Sequence, residues 1–584
     1  MHDLNGTSSG NQNEMETKWW QESTIYQIYP ATFKDTTGTG TGDLQGVLEK
    51  IPYLAELGID AIWISPFYKS PQADLGYDIS DYTAVHEPYG SVEDIDKIIA
   101  EASKHNIKIL ADLVVNHCSN EHEWFKEARS SRDSPKRDWF IWRDAKIVDG
   151  QRECPNNWRT AFGGPTWTWD EGTQQYYFHT FLSEQPELNW TVKECREAIY
   201  EDAVRFWLKR GIAGFRVDTV NMYSKDMTFP DAPIVDPLVK EQPGFDFITN
   251  GPRMHEYLKE MRRDALGDAV TIGELPNTPK VEDVLSYIAR PSKELDTVIQ
   301  FDITMLRNSG WKFMITDFPL SKLKKLTANG QALADPKNKA WAVSHLENHD
   351  SSRIVSRFGN DSPEFRKPSA KMLATYLITL SGSPIIYQGQ EIGMINIPKD
   401  VDVDEHYLDC DTIGFLREVR AAIAAGKAGP ELLEQAMDGI KLSARDHART
   451  PVAWDSSKNG GFSTADKCWM LAHSFKEINV ADQENDKDSV LNYFRRIIKF
   501  RRENKDVFVH GAFSYEKSHE DDDNVFVYTK TSTEGKKAVV VLNFRKDPQT
   551  YSLPEGSENL KVVFDTGKPG KDGELAPYAA KIYM

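Results

Sequence analysis

The 584-residue sequence predicts an α/β fold: a (β/α)8 TIM barrel with a lid subdomain inserted after strand three and a C-terminal antiparallel β-domain. Three observations predict it. Apolar runs of strand length alternate with helix-like stretches, the pattern of a parallel sheet covered by helices. The alternation breaks over 119–189, which is rich in Trp, Pro, Asn and Gly and holds no long helical pattern. After about residue 508 the pattern changes to alternating strands. The expected boundaries are a barrel over 1–118 and 190–507, a loop-rich insert over 119–189 and a β-domain over 508–584.

The elements follow in order. Thr24 to Pro30 is a short aromatic and β-branched run and reads as a strand. Leu44 to Leu57 carries apolar residues at helical spacing and stops at Gly58. Ala61 to Phe67 is again an apolar strand, Val92 to His105 is helix-like, and Lys108 to His117 is strand-like. Beyond the insert come a helix near 193–210, a strand from Ile212 to Val217 and a helix near 251–266. Four more strands are expected at Ala269–Leu275, Thr297–Ile303, Trp341–Leu346 and Pro384–Tyr387, with a helix near 364–380 before the last. That makes eight strands, the number of such a barrel. Residues 395–487 form a long excursion before a final helix, Ser489 to Arg502. The tail includes strands at Asn524–Lys530 and Lys537–Phe544.

The net charge of −19 argues against nucleic acid or an anionic membrane as partner, and leaves a neutral sugar unrepelled. No apolar run approaches the roughly 18 residues of a membrane span. Cys118, Cys154, Cys195, Cys410 and Cys468 have neither metal spacing nor the look of a disulfide framework. Met1 to Thr17 is polar and reads as no secretory leader, so the sequon at Asn5 is taken as chance. A reducing, cytoplasmic location is the expectation.

In such a barrel the active site lies at the C-terminal ends of the strands. Polar residues gather there. Strand three ends in Asp112, Asn116 and His117, strand four in Arg216 and Asp218, strand five in Gly273 and Glu274, and strand seven in Glu347, Asn348, His349 and Asp350. Arg216 and Asp218 are two apart, so on a strand they point to one side. The arginine would keep the aspartate ionised and oriented, as a glycosyl nucleophile requires; a structural ion pair is the competing reading. Glu274 follows Thr271, Ile272 and Gly273, apolar enough to desolvate its carboxyl and raise its pKa, with glycine leaving room for a ligand. One ionised and one protonated carboxyl fit glycoside hydrolysis. Metal binding is the alternative for such a cluster, but no HxH or HExxH spacing is present.

With these residues assembled, the sequence resembles the α-amylase family of glycoside hydrolases, most closely its fungal maltase and isomaltase (oligo-1,6-glucosidase) type. DLVVNH at 112–117, GFRVDT at 214–219, the GE of 273–274 and ENHD at 347–350 match four signature regions in order. GYDIS at 76–80, QPELN at 185–189 and YQGQEIG at 387–393 match further ones. The resemblance implies a retaining double displacement with Asp218 as nucleophile, Glu274 as acid/base and Asp350 gripping the sugar hydroxyls. It implies that His117, His349 and Arg216 hold the sugar and that Tyr77 stacks on it. It also implies that Asp74 and Arg445 meet the far end of the terminal glucose, closing the pocket for exo action. Phe162, Phe181 and Phe301 are weaker carry-overs, equally readable as packing. The implied substrates are maltose, sucrose and malto-oligosaccharides, acted on by a monomer with no nucleic-acid or membrane partner. An isomaltase, a glucosyl-transferring or isomerising enzyme and a non-catalytic transporter subunit or sensor are the alternatives.

Three departures or choices bear on this reading. Family members often carry a calcium loop, DxNxDGxGD. Over Asp35–Asp43 its middle Asn and Asp are Thr37 and Thr39, so no metal or other cofactor is expected. Glu187 stands where many relatives have Asp. Thr219, Val220 and Asn221 are the expected specificity residues. Threonine after the nucleophile goes with α-1,4 preference in the family and valine with α-1,6. The threonine hydroxyl can hydrogen-bond a sugar or water on the leaving-group side.

Overall fold

The computed structural model describes residues 17–292, 294–309, 311–515, 520–567 and 573–584. The first 16 residues, with the Asn5 sequon and most of the segment read for a leader, lie outside them. Eight parallel strands form the central sheet: β1 (Ile25–Ile28), β2 (Ala61–Ile64), β3 (Lys108–Leu113), β4 (Gly214–Val217), β5 (Val270–Glu274), β6 (Thr297–Ile299), β7 (Val343–Ser344) and β8 (Ser383–Tyr387). The ladder runs β6-β5-β4-β3-β2-β1-β8-β7. The Thr297 hydroxyl, donating to the Trp341 carbonyl at 2.8 Å, spans the seam between β6 and β7.

The strands bury both faces, which is why they read as unbroken apolar runs. Ile25, Ala61, Trp63, Leu110, Val270, Ile272 and Ile385 share one cluster, the barrel interior. Alternate residues such as Tyr26, Ile62 and Ile109 belong to the larger cluster that includes the helices. In register, Arg216 pairs with Asp112 on one side and Ile272 on the other. The inward rows that are apolar at Leu110 and Ile272 thus become charged two residues on, at Asp112 and Glu274, with Arg216 on the strand between them.

The helices have local causes. Over Leu44–Leu57 the Asp43 carboxylate caps by accepting from Gly46 N, and Gly58 ends the helix at φ 95°. Ser91 and Asp94 make a capping box for Val92–Lys104. The stretch 193–210 is helical with a π-helical segment, Tyr200–Arg205.

Three features add to or differ from the sequence expectation. The insert holds a helix, Glu123–Ser130, and a three-stranded antiparallel sheet of Trp142–Arg143, Gln175–Phe178 and Trp167–Asp170. Its Trp158–Arg159 pairs with Gln242–Pro243, so the loop after β4 is stitched to the insert. In the tail, Lys537–Asn543 is the centre of a five-stranded sheet and is buried nearly throughout, not alternately. Val540 and Leu542 join the main core while Val539 and Val541 face Leu575 and Ala579. Among the described residues, no helix is long and apolar enough to cross a membrane.

Candidate active site

Arg216 is the hub. Only 1% exposed, it sits at the end of β4, with Nη1 at 2.6 Å from Asp218 Oδ1 and 3.0 Å from Asp112 Oδ1. Its Nη2 pairs with Glu274 Oε1. The period-two expectation for Arg216 and Asp218 is met, but the guanidinium also serves two other carboxyls. Burial pushes the Glu274 carboxyl well above its ordinary value; Arg216 opposes this, and the charges of Asp218 and Asp350 add to it. The upward direction wins because one guanidinium is shared among three acids in a dry site. Both Glu274 oxygens nevertheless accept in this arrangement, Oε1 from Arg216 and Oε2 from Thr219 N at 3.0 Å.

Gly273 has a different role from the one expected. A Cβ there would lie 2.7 Å from Leu295 Cδ1 and 2.9 Å from Val220 Cγ1. The glycine therefore makes room for packing on the outer side of β5, not for a ligand, because its open side is opposite to that of Glu274.

Thr219 joins the two acids. Its amide donates to Glu274, and its hydroxyl donates to Asp218 Oδ2 at 3.2 Å. A hydrogen bond from this hydroxyl to a sugar or water on the leaving-group side therefore has to be shared with the Asp218 contact. The backbone is at φ 36°, a region that a β-branched residue occupies only at a cost of about 1–3 kcal/mol. Val220 is fully buried. Asn221 is too, its amide donating to Asn250 Oδ1, Pro276 O and Thr278 Oγ1. Val220 meets Glu274 only through the backbone, its amide donating to the Glu274 carbonyl at 2.9 Å, so of the three expected specificity residues Thr219 is the one hydrogen-bonded to the acids' carboxyl groups.

Asp350 lies across from this pair. His349 Nε2 is 3.0 Å from its Oδ2, while Arg445 Nη1 and Arg449 Nη2 approach Oδ1 at 2.9 and 3.3 Å. Burial alone would raise the Asp350 carboxyl, but the charges around it hold it below the ordinary carboxylate range. His349 lowers it most, followed by Arg445, Arg449 and Arg216; because burial takes His349 itself down to about 3, the arginines supply the positive charge near neutral pH. Gln27 Nε2 at 2.8 Å from His349 Nδ1 suits the tautomer that carries its proton on Nε2. The ring of Tyr77 is parallel to His349 at 5.1 Å, and its hydroxyl donates to Asp112. One face of Tyr77 is thus taken by His349.

Asp74 and Arg445, 371 residues apart, meet at 3.4 Å. Burial raises Asp74 to about 6, against the pull of Arg445 and Arg449. Gln185 donates to Asp74 Oδ2 at 3.0 Å and lies 3.2 Å from His117 Nε2. His117 is kept neutral by burial and packs on Phe181 at 5.1 Å. Phe181 in turn meets Phe162, whose ring lies 4.9 Å from the Arg445 guanidinium. Phe301 stands just past β6, half-buried, its carbonyl accepting from Thr304 Oγ1 at 3.0 Å. Glu187 is fully buried and pairs with Lys225 at 2.5 Å, tying the end of the insert to the loop after β4.

The family description "Alpha amylase, catalytic domain" matches residues 27–511. The chain belongs to the α-amylase family. It is 42% identical to an alpha-glucosidase of Candida albicans over 97% of this chain and 99% of that one. It is 40% identical to the oligo-1,6-glucosidase IMA5 of Saccharomyces cerevisiae over 97% and 98%. The isomaltulose synthase SmuA from Protaminobacter rubrum superposes with a TM-score of 0.89 at 37% identity, covering 97% of this chain and 99% of that one. This α-amylase family member is a glycoside hydrolase.

Four participants escaped the sequence reading of roles: Asp112, Gln185, Asp409 and Arg449. Arg449 had a weak signal, four residues after Arg445 in SARDHART. Asp409 had none, for it stands in the excursion, outside any motif.

The loop where many α-amylase family members bind calcium does not fit a cation here. Asp35 accepts from the amides of Thr37, Gly38 and Gly40 and from the Ser463 hydroxyl. Asp43 accepts from Thr36 and Gly46. The acids are already satisfied by the loop's own donors, and the positions between them are neutral threonines. EDTA is expected to leave the melting temperature and activity unchanged. A large drop in melting temperature, restored by added Ca2+, would contradict this.

Proposed function

We propose that this enzyme is an exo-acting, retaining α-glucosidase, a maltase that releases terminal α-glucose from α-1,4-glucosides and sucrose. The observation that supports it best is the placement of Asp218 and Glu274, at the ends of neighbouring strands, on one buried guanidinium. On this reading Asp218 attacks the anomeric carbon and forms a glycosyl ester, while Glu274 protonates the departing oxygen. Glu274 then takes a proton from water, whose oxygen attacks the anomeric carbon and breaks its bond to Asp218, so the second inversion restores the configuration. To donate, Glu274 Oε1 has to turn from Arg216 into the cleft. Asp350, held ionised by Arg445 and Arg449, accepts from the sugar hydroxyls, and the Asp74–Arg445 pair blocks the far end. The five free thiols suit a reducing compartment, the cytoplasm, and the chain is taken to act as a monomer.

Glucose release from maltose, isomaltose and sucrose, with all products identified, tests the reading. Maltose is expected to be preferred to isomaltose; an isomerised disaccharide as main product from sucrose would replace it with an isomerising function.

Thr219→Val separates two effects. It removes the donor to Asp218, so kcat/KM falls on both disaccharides. A missing sugar contact worth roughly 0.5–1.5 kcal/mol also moves the maltose-to-isomaltose ratio about three- to tenfold toward isomaltose. An unmoved ratio in kcat/KM measurements would mean that Thr219 does not set linkage choice.

A further inference from the structure

Two arginines converge on one oxygen of Asp350, and nothing in the barrel explains how they stay there. Arg445 and Arg449 have side chains only 8% and 2% exposed, and both point a guanidinium nitrogen at Asp350 Oδ1. Like charges this close and this dry repel strongly. Left alone, each would relax toward a separate partner, Arg445 toward Asp74 and Arg449 toward the His349 carbonyl, which its Nε already meets at 3.1 Å.

Asp409 lies between them. Its carboxylate is fully buried and divides its oxygens: Oδ1 accepts from Arg445 Nε at 2.8 Å, and Oδ2 pairs with Arg449 Nη1. Asp409 is itself anchored. It caps the helix Cys410–Ala424, accepting from Asp411 N at 3.0 Å. Its own amide donates to Asp446 Oδ1 at 3.0 Å, and Asp446 also takes Leu408 N and the Thr412 hydroxyl. Asp446 is the residue after Arg445. The contacts thus close a ring: the carboxylate of Asp446, beside Arg445, fixes the Asp409 backbone, and Asp409 fixes the Arg445 side chain.

We infer that Asp409 is a positioning residue, holding Arg445 and Arg449 in the one arrangement in which both reach Asp350 and Arg445 also reaches Asp74. It acts on the grip of the terminal glucose without touching it. The inference rests on the proposed roles of Asp350 and Arg445, and it adds a third residue from the excursion, beside Arg445 and Arg449, to the pocket.

The experiment compares Asp409→Asn, Asp409→Glu, Arg445→Gln and the double variant Asp409→Asn/Arg445→Gln by steady-state kinetics on maltose, with melting temperatures alongside. Asp409→Asn is expected to raise KM about tenfold or more with kcat within about threefold, the mark of a lost binding contact. With Arg445 already replaced, Asp409→Asn should raise KM by clearly less than it does alone, because only its hold on Arg449 remains to be lost. Independent, additive losses would overturn the inference, since a merely structural carboxylate weakens both backgrounds alike. If Asp409→Asn does not fold, Asp409→Glu decides. It keeps the charge on a longer arm and should raise KM; unchanged KM and kcat overturn the inference. An Arg445→Gln enzyme with wild-type KM would remove the proposed role of Arg445 itself, and the inference with it.

Discussion

Asp218→Asn is expected to lower kcat on maltose by about four orders of magnitude while the protein stays folded. The amide has the shape of the carboxylate and can still accept from Arg216, but it cannot form the glycosyl ester. Folding survives because Arg216 is not orphaned: Asp112 at 3.0 Å and Glu274 remain on it. Three carboxyls crowd one guanidinium, and the Asp218 charge pushes the other two carboxyls upward. Removing that charge relieves repulsion, so the melting temperature is expected to hold or rise, as is common where a site is built for function and not for stability. The wild type should release α-glucose first, observed by NMR during early turnover. A folded Asp218→Asn enzyme within tenfold of wild-type kcat, or β-glucose as the first anomer, would refute the assignment.

Glu274→Gln is expected to cost about 10²–10⁴ in kcat/KM on maltose, the usual worth of a placed general acid. The loss should be much smaller on an aryl α-glucoside whose leaving group needs no proton. The sign of the pH dependence follows from the environment. Burial raises the Glu274 carboxyl, with Asp218 and Asp350 reinforcing it against Arg216, so the acid form persists toward neutral pH. Activity is present below the raised pKa and is lost as pH rises through it. This alkaline limb should be seen on maltose for the wild type and be absent for Glu274→Gln on the aryl substrate. If the limb survives the substitution, it belongs to another group and Glu274 is not the acid.

The barrel was legible because parallel strands bury both faces, so each reads as an apolar run between helices of a different period. The weak points were the short strands. Trp341–Leu346 was expected and only Val343–Ser344 pairs, beside a seam bridged by one hydroxyl. Arg216 and Asp218 could be paired by arithmetic, because two residues on one strand share a side. Glu274 could be read as the acid from the apolar run before it, whereas the role of Asp350 came from motif resemblance.

What the chain settled by itself was local: which runs form strands, where acids stand at their ends, and that the calcium loop lacks two acidic or amide positions. Partners far apart in sequence were decided only by the tertiary structure. Asp74 and Arg445 lie 371 residues apart, Asp409 and Arg449 40, and Thr219 and Glu274 55. The sequence offered the Thr219 hydroxyl to a sugar or water, and only the fold shows that it also meets Asp218. The physical reason is that protonation and orientation depend on distance and on exclusion of water. Both are set by which side chains the closed barrel, the insert and the excursion press together, and local spacing along the chain carries neither.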